Sequence, residues 1–333
     1  MSLNKDDDMK DGDVWAQARE LLTRSAGRVV VACHINPDAD ALGSALAVGL
    51  ALRAAGRDVV VSFGTDDAVW HLPEALGFLP GHDLLADPDS VLAGPEPSVV
   101  VTTDTGSADR LGPLSALLDR AGDVLVIDHH ATNTRFGSVN VIDVGAAATT
   151  VVVAELVHGL VELDADIATC IYAGLVTDTG SFRFSATTPA VHRLAAELLD
   201  AGADPVRIGQ ELFDTATFPA VRLLGTAVER ARLEGGLVWT WIGFEERTEL
   251  GLPIASIEGV IDVIRTTSEV DVAVVCKGVA DQQWSVSMRS RGATDVGAIA
   301  VALGGGGHRL AAGFTACVAT PEEAVAQVRA QLP

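Results

Sequence analysis

The stretch Arg28-Val29-Val30-Val31-Ala32-Cys33-His34-Ile35-Asn36-Pro37-Asp38-Ala39-Asp40 decides how this chain folds. Its first half is an apolar run without polar alternation, the pattern of a strand buried on both faces of a parallel sheet. Its second half sets a histidine and two aspartates directly after that strand. The Ala-, Leu- and Val-rich segment Ala41–Ala55 follows as a helix. Further Val-rich runs repeat the plan: Val59–Phe63, Val99–Thr103 ending at Asp104, and Val124–Ile127 ending at Asp128-His129-His130. Strands alternating with helices predict an α/β fold with an open, mainly parallel sheet flanked by helices. In such sheets ligands gather beyond the carboxyl ends of the strands. Another acid, Asp178, closes the apolar run Ile171–Thr177.

Charged groups at the ends of core elements cost free energy unless something compensates them. Five carboxylates and three imidazoles converging on one sheet edge repel unless cations sit between them, so the pattern reads as a site for two metals. Mixed imidazole and carboxylate ligands suit manganese, cobalt, zinc or iron better than magnesium. Taken alone, the His34–Asp40 loop is also compatible with an ordinary βα connection whose Asp caps the helix. Asp128-His129-His130 is more specific: adjacent side chains diverge, so one histidine can ligate while its neighbour faces substrate. A short echo, Thr103-Asp104-Thr105-Gly106-Ser107 and Thr177-Asp178-Thr179-Gly180-Ser181, places an Asp at an element end twice.

The 333 residues suggest two domains of unequal size, and 48% hydrophobic content supports a sizeable core. No window approaches the ~18 apolar residues of a membrane span. The opening MSLNKDDDMKDGD is acidic and polar, the opposite of a signal peptide, and residues 1–20 are expected to be a disordered tail. Cys33, Cys170, Cys276 and Cys317 form no CxxC pair, which favours reduced thiols in a cytoplasmic protein. Acids outnumber bases 45 to 23, a formal charge of −22. Gripping long nucleic acid needs a basic stripe, so a long polymer is disfavoured and a small phosphorylated ligand is not.

From Thr149 onward the pattern turns helical: Thr149–Leu160, Asp166–Thr177, Pro189–Ala201 and Asp204–Phe213. Residues 21–199 are expected to form the catalytic domain, 200–220 a helical connector, and 221–333 a smaller α/β domain. There Leu237–Phe244, Val270–Gly278 and Trp284–Ser290 read as strands, and Ile257–Arg265, Asp295–Leu303 and Pro321–Gln331 as helices. Gly304-Gly305-Gly306-Gly307-His308-Arg309 reads as an anion-binding nest or, more blandly, a flexible turn. It is neither a Walker loop nor a dinucleotide fingerprint. Arg289 and Arg291, ending a strand nearby, point to phosphate capture. Trp239, Trp241 and Trp284 read as core, and no serine has a plausible catalytic triad.

HxxxDxD, a strand-end Asp, DHH, a later Asp and a module carrying GGGH together resemble the DHH phosphoesterase superfamily with its DHH-associated C-terminal domain. Asp128–Asn133, Tyr172–Phe184 and Gly304–Gly313 look most like the NrnA type, bifunctional oligoribonucleases and pAp phosphatases, some of which also hydrolyse pApA or cyclic dinucleotides. The resemblance runs from about Arg28 to the C-terminus. It implies one metal held by His34, Asp38 and Asp104, and a second held by Asp40, Asp104, His129 and Asp178, with Asp104 bridging. Mn2+ is the expected ion, Mg2+ or Co2+ the alternatives. Asp128 would orient a histidine, and His130 would face the substrate phosphate. Arg289, Gly305, Gly306, Gly307, His308 and Arg309 would bind the nucleotide, and Asn133 and Arg135 would contact phosphate. A homodimer is implied too.

These expectations converge on a two-metal hydrolase of short oligonucleotides and 3′-phosphoadenosine 5′-phosphate (pAp), acting in a cleft between the domains that excludes long chains. The competing readings are a cyclic-dinucleotide phosphodiesterase, a manganese inorganic pyrophosphatase, a RecJ-like exonuclease and a nucleotide-sensing binding module. The pyrophosphatase has a different second domain, and the chain is too short and too acidic for a RecJ-like enzyme.

Overall fold

In the computed structural model, which describes residues 11–24, 27–65 and 69–332, the Val-rich runs pair side by side. Strands β1 (Val29–Cys33), β2 (Val59–Phe63), β3 (Val99–Thr103), β4 (Asp123–Asp128) and β5 (Val139–Ile142) form one parallel sheet in the order β2-β1-β3-β4-β5. Every residue of β1 and β3 is buried, which is why these strands show no polar alternation. The order reverses between β1 and β3, and such a switch point opens a crevice at the strand ends. The register aligns Cys33 with Thr103 and Thr103 with Ile127. The next residues along, His34, Asp104 and Asp128, therefore emerge side by side.

The chain divides into two compact units, one ending at Thr215 and the other beginning at Ala216, a break inside the expected 200–220 connector. In the first unit the helices are α1 (Asp11–Arg24), α2 (Ala39–Ala54), α3 (Pro88–Ala93), α4 (Thr149–His158), α5 (Ala165–Asp178), α6 (Pro189–Asp200) and α7 (Pro205–Phe213). Helix α2 is apolar almost all round because it packs on the sheet on one side and on α4 and α5 on the other. Two glycines set how closely it meets α5. A Cβ at Gly43 would stand 2.5 Å from the Cys170 carbonyl oxygen, and one at Gly174 would stand 2.8 Å from the Asp40 Cα.

Residues 1–10 of the expected tail lie outside the described residues. Asp11–Arg24 corrects the remainder: it is a helix that buries Ala18 and Leu22 in the main core. The acidic composition of the opening residues masked the amphipathic Val14, Ala18 and Leu22 spacing.

The second unit is built on a six-stranded mixed sheet. It contains α8 (Phe218–Glu229), β6 (Arg232–Glu234), β7 (Leu237–Ile242), α9 (Phe244–Thr248), α10 (Val260–Ile264), β8 (Val272–Ala280), β9 (Gln283–Ser290), α11 (Val296–Ala302), β10 (Gly306–His308), β11 (Ala311–Cys317) and α12 (Pro321–Arg329). The strand order is β10-β11-β9-β8-β7-β6, and only β7 and β8 run parallel. Trp239 is fully buried in the core on one face, with Trp241 and Trp284 packed against it. The expected helix Ile257–Arg265 is instead a 3-10 turn, Ile254–Ile257, followed by α10, with Gly259 at the junction.

Gly43→Val tests the α2–α5 crossing. With a backbone carbonyl as the obstacle, the variant is expected to lose about 3 kcal/mol or more in denaturant unfolding. Wild-type stability would mean the helices are free to separate.

Candidate metal centre

Asp104 holds the middle of the site because of its backbone. It takes a left-handed conformation (φ 54°) at the end of β3, a geometry Asp tolerates better than most side chains, and its amide donates to the Ile127 carbonyl at 3.0 Å. The turned carboxylate has one oxygen facing each side. Oδ2 lies 3.6 Å from His34 Nε2, and Oδ1 lies 3.7 Å from His129 Nε2. His129 Nε2 is also 3.4 Å from Asp178 Oδ2, at the last turn of α5.

Two donor sets result. The ligand atoms of His34, Asp38 and Asp104 lie within 4.8 Å of one another, and so do those of Asp40, His129 and Asp178. Asp38 serves twice: its Oδ1 accepts the Asp40 and Ala41 amides at 3.0 and 2.9 Å, capping α2, while it also belongs to the first set. The capping and ligand readings of that loop are therefore compatible.

Asp40 is fully buried, and its support comes from the first turn of α4, a helix legible in the sequence whose part in the site was not. Its two oxygens accept the backbone amides of Thr149 (2.7 Å) and Thr150 (2.9 Å) at the start of α4. The Thr149 hydroxyl donates to Asp104 Oδ1 at 2.7 Å. The N-cap of α4 is Ala148, which has no capping side chain, so Asp40 caps that helix from a distance. The only available signal was Thr-Thr opening a helix without a Ser, Asp or Asn before it.

Asp128 organises the DHH triplet. Its Oδ1 accepts His130 Nδ1–H at 2.7 Å and the His129 amide at 2.8 Å. Its Oδ2 accepts from Asn133 Nδ2 at 2.5 Å, and the same amide group donates to the Thr105 carbonyl at 3.0 Å. Asn133 Oδ1 takes the Arg135 amide at 2.6 Å. The expectation that Asn133 contacts phosphate is therefore corrected: its donors hold Asp128. The Arg135 side chain is exposed.

The electrostatics fit bound cations. Among the described residues no Lys or Arg ion-pairs with Asp38, Asp40, Asp104, Asp128 or Asp178. Burial, then the charges of Asp104 and Asp38, push the Asp40 carboxyl well above its ordinary range. Burial and the same neighbouring acids raise Asp178. Burial also acts to raise Asp104, but hydrogen bonds from His34 and Thr149 and the charges of His130 and His34 hold it at about 2. Burial works against charging His34 and His130, yet their carboxylate partners raise both. Imidazole and carboxylate donors without a basic counterion are the chemistry of a divalent metal site.

In the second unit, Ala311 lies between His308 and Arg289 in the strand register, so the Gly-rich segment and the arginine are neighbours. The Arg289 guanidinium donates to the Met288 carbonyl at 3.0 Å, and Arg309 donates to the Gly292 carbonyl at 3.3 Å. The anion-nest expectation is corrected at Gly305. Its amide donates to Ala300 at the carboxyl end of α11, and a Cβ there would meet the Gly313 carbonyl at 2.1 Å. That amide caps a helix end whose dipole is unfavourable to anions. Gly307 is likewise fixed by closeness to β11, with the Ala311 carbonyl 2.6 Å from its would-be Cβ. Gly306 has open space around it.

The DHH family N-terminal domain model matches residues 28–175, and the DHHA1 domain model matches residues 247–332. The bifunctional oligoribonuclease and PAP phosphatase NrnA of Thermus thermophilus is 38% identical over 319 residues, covering 90% of this chain and 89% of its own. The Bacillus subtilis protein of the same name is 26% identical, covering 86% of this chain and 88% of its own. An exopolyphosphatase-related protein of Bacteroides fragilis shares the fold, with a TM-score of 0.87 at 22% identity and coverage of 96% of this chain and 95% of that one.

Because Asp40 and Asp178 are raised, cation uptake should expel protons. Metal titration calorimetry in buffers of different ionisation enthalpy should show proton release, and binding that tightens as the pH rises beyond the ordinary carboxylate range. By the same sign, these two acids destabilise the metal-free fold as pH rises, so metal-induced thermal stabilisation should grow with pH. Thr149→Val should weaken metal binding roughly 10- to 100-fold, as loss of a ligand-orienting hydrogen bond does. Unchanged affinity would remove Thr149 from that role.

Proposed function

The chain belongs to the DHH family, and on that premise we propose that it is a metal-dependent phosphoesterase. It cleaves short oligoribonucleotides of the pApA type to mononucleotides and removes a phosphate from pAp. The observation that carries this reading is the Asp104 carboxylate, with one oxygen facing each of two donor sets. The 38% identity to an NrnA over almost the full length supports the same substrates.

His34, Asp38 and Asp104 would hold one divalent ion, and Asp40, Asp104, His129 and Asp178 the other, with manganese favoured by the mixed donors. Bound there, the ions supply Lewis-acid charge to the phosphoryl oxygens and activate the attacking water. Asp128 fixes the His130 ring through Nδ1, which makes Nε2 the nitrogen assigned to the substrate. Neighbouring carboxylates favour the charged imidazole, which suits it to stabilise phosphoryl charge or to protonate the leaving oxygen. From the second unit, Arg289, His308 and Arg309 are assigned to nucleotide binding, a role their shared corner of the sheet supports. We also infer a homodimer and a cytoplasmic setting, the latter supported by four unpaired cysteines.

The direct test offers manganese-loaded protein pApA, pAp, pyrophosphate and a long single strand. Hydrolysis of the first two is expected, and preferential release from pyrophosphate would refute the reading. Asp104→Asn should reduce turnover of pApA and pAp together, by more than the roughly 10²–10³-fold typical of losing one transition-state hydrogen bond. Retained activity would sink the bridging assignment.

A further inference from the structure

Helix α5 ends on Asp178, and the ends of helices fray. The last residue of a helix is therefore a poor place for a group that must hold its position. Yet Asp178 Oδ2 lies 3.4 Å from His129 Nε2, inside the second donor set. The residues that follow counter the fraying in two steps. In the first, Gly180 turns left-handed with φ of 55°. The amides of Thr179, Gly180 and Ser181 then donate back to the carbonyls of Leu175, Thr177 and Val176, at 3.2, 2.9 and 2.8 Å. This is the common glycine stop of a helix, and it satisfies the carbonyls of the last turn.

The second step is uncommon. Ser181 and Phe182 stay left-handed, with φ of 57° and 62°, and the Arg183 amide donates to the Thr179 carbonyl at 2.9 Å. Thr179–Arg183 is thus a single turn of left-handed helix, sterically disfavoured for L-residues and most of all for a bulky one. Such strain persists only where the surroundings over-determine it. Two groups do so here. The fully buried Thr179 hydroxyl accepts the Phe182 amide at 3.1 Å while donating to the Leu175 carbonyl at 2.6 Å. The Phe182 ring packs against the main core, 6.3 Å from the Tyr172 ring of α5 and stacked at 5.2 Å on His192 of α6.

We propose that this left-handed turn is a positioning device for Asp178, and that Phe182 is the residue that locks it. The inference rests on the two-metal reading above and deepens it by naming what holds one ligand of the second donor set. Asp40, Asp104 and Asp128 accept hydrogen bonds from a backbone amide, Thr149 and Asn133. For Asp178 the constraint lies in the backbone that carries it. Tyr172 stands six residues before Asp178 and Phe182 four after it, so their contact closes the chain around the ligand. The stack on His192 ties the same loop to α6.

The test titrates the full-length, metal-free protein with Mn2+ and counts bound ions from the electron paramagnetic resonance of the free ion. Wild type should take up two ions per chain. Phe182→Ala should weaken one of them roughly 10- to 100-fold, the range for loss of a group that orients a ligand, and leave the other nearly unchanged. Phe182→Tyr keeps the ring and should bind like wild type. His192→Ala alters an exposed residue of α6 and spares the core. It should weaken the same ion by roughly 2- to 12-fold, the contribution of one aromatic pair. Asp178→Asn should itself weaken that ion, and adding Phe182→Ala should cost nothing more, because the ring acts only through Asp178. Equal losses at both ions, or a full further loss in the Asp178→Asn background, would mark Phe182 as a general structural residue and overturn the proposal. So would wild-type binding in Phe182→Ala or, should that variant not fold, in His192→Ala. Wild-type protein that takes up fewer than two ions would refute the two-metal reading, and the positioning role with it.

Discussion

Everything in the first unit depends on accommodating buried carboxylates that, among the described residues, pair with imidazoles and with no Lys or Arg. Asp40 and Asp128 are fully buried and Asp104 nearly so. An isolated carboxylate in such surroundings gives up its charge rather than bear the desolvation cost. The fold offsets part of that cost with fixed dipoles. Two amides of α4 hold Asp40, a threonine hydroxyl holds Asp104, and an asparagine and an imidazole hold Asp128. Such groups orient negative charge without neutralising it, and the raised Asp40 and Asp178 carboxyls record the remainder. The compensation proposed above, a pair of divalent cations, would leave every one of these groups in place.

That requirement explains features that otherwise look unrelated. Helix α4 lacks its own N-cap because Asp40 occupies the position. Gly43 and Gly174 let α2 and α5 approach closely enough for Asp40 and Asp178 to join one donor set. The all-parallel order β2-β1-β3-β4-β5 brings His34, Asp104 and Asp128 to one edge although about 70 and 24 residues separate them along the chain. None of these devices suffices alone. Removing any one leaves the acids buried but no longer converging.

How much of this was legible in the sequence follows from which interactions are local. β1, β2 and β3 were readable because each opens on three consecutive valines, a run that burial on both faces explains for β1 and β3. The site acids and histidines were readable because each ends such a run. β5 and β10 were not: Val139–Ile142 includes a polar Asn140, and β10 is largely glycine, so pairing with neighbours rather than composition defines both. Thr149 stayed hidden because its partners lie 45 and 109 residues away. Asn133 and Gly305 were visible but misassigned. A side-chain amide and a backbone amide look available to a ligand until the acceptors that consume them are located.

The DHH triplet shows why three consecutive titratable residues can do unlike work. At a strand end successive side chains diverge, so His129 turns toward Asp104 and Asp178 while His130 turns back onto Asp128. The bond to Asp128 commits His130 Nδ1 as a donor, and that fixes which nitrogen remains for other chemistry. A histidine with one nitrogen anchored to a fully buried carboxylate is poor at swinging into a coordination position but well placed to carry a proton. The division we propose, His129 as ligand and His130 as proton carrier, would therefore be set by one hydrogen bond, and Asn133, holding the far oxygen of Asp128, braces that bond.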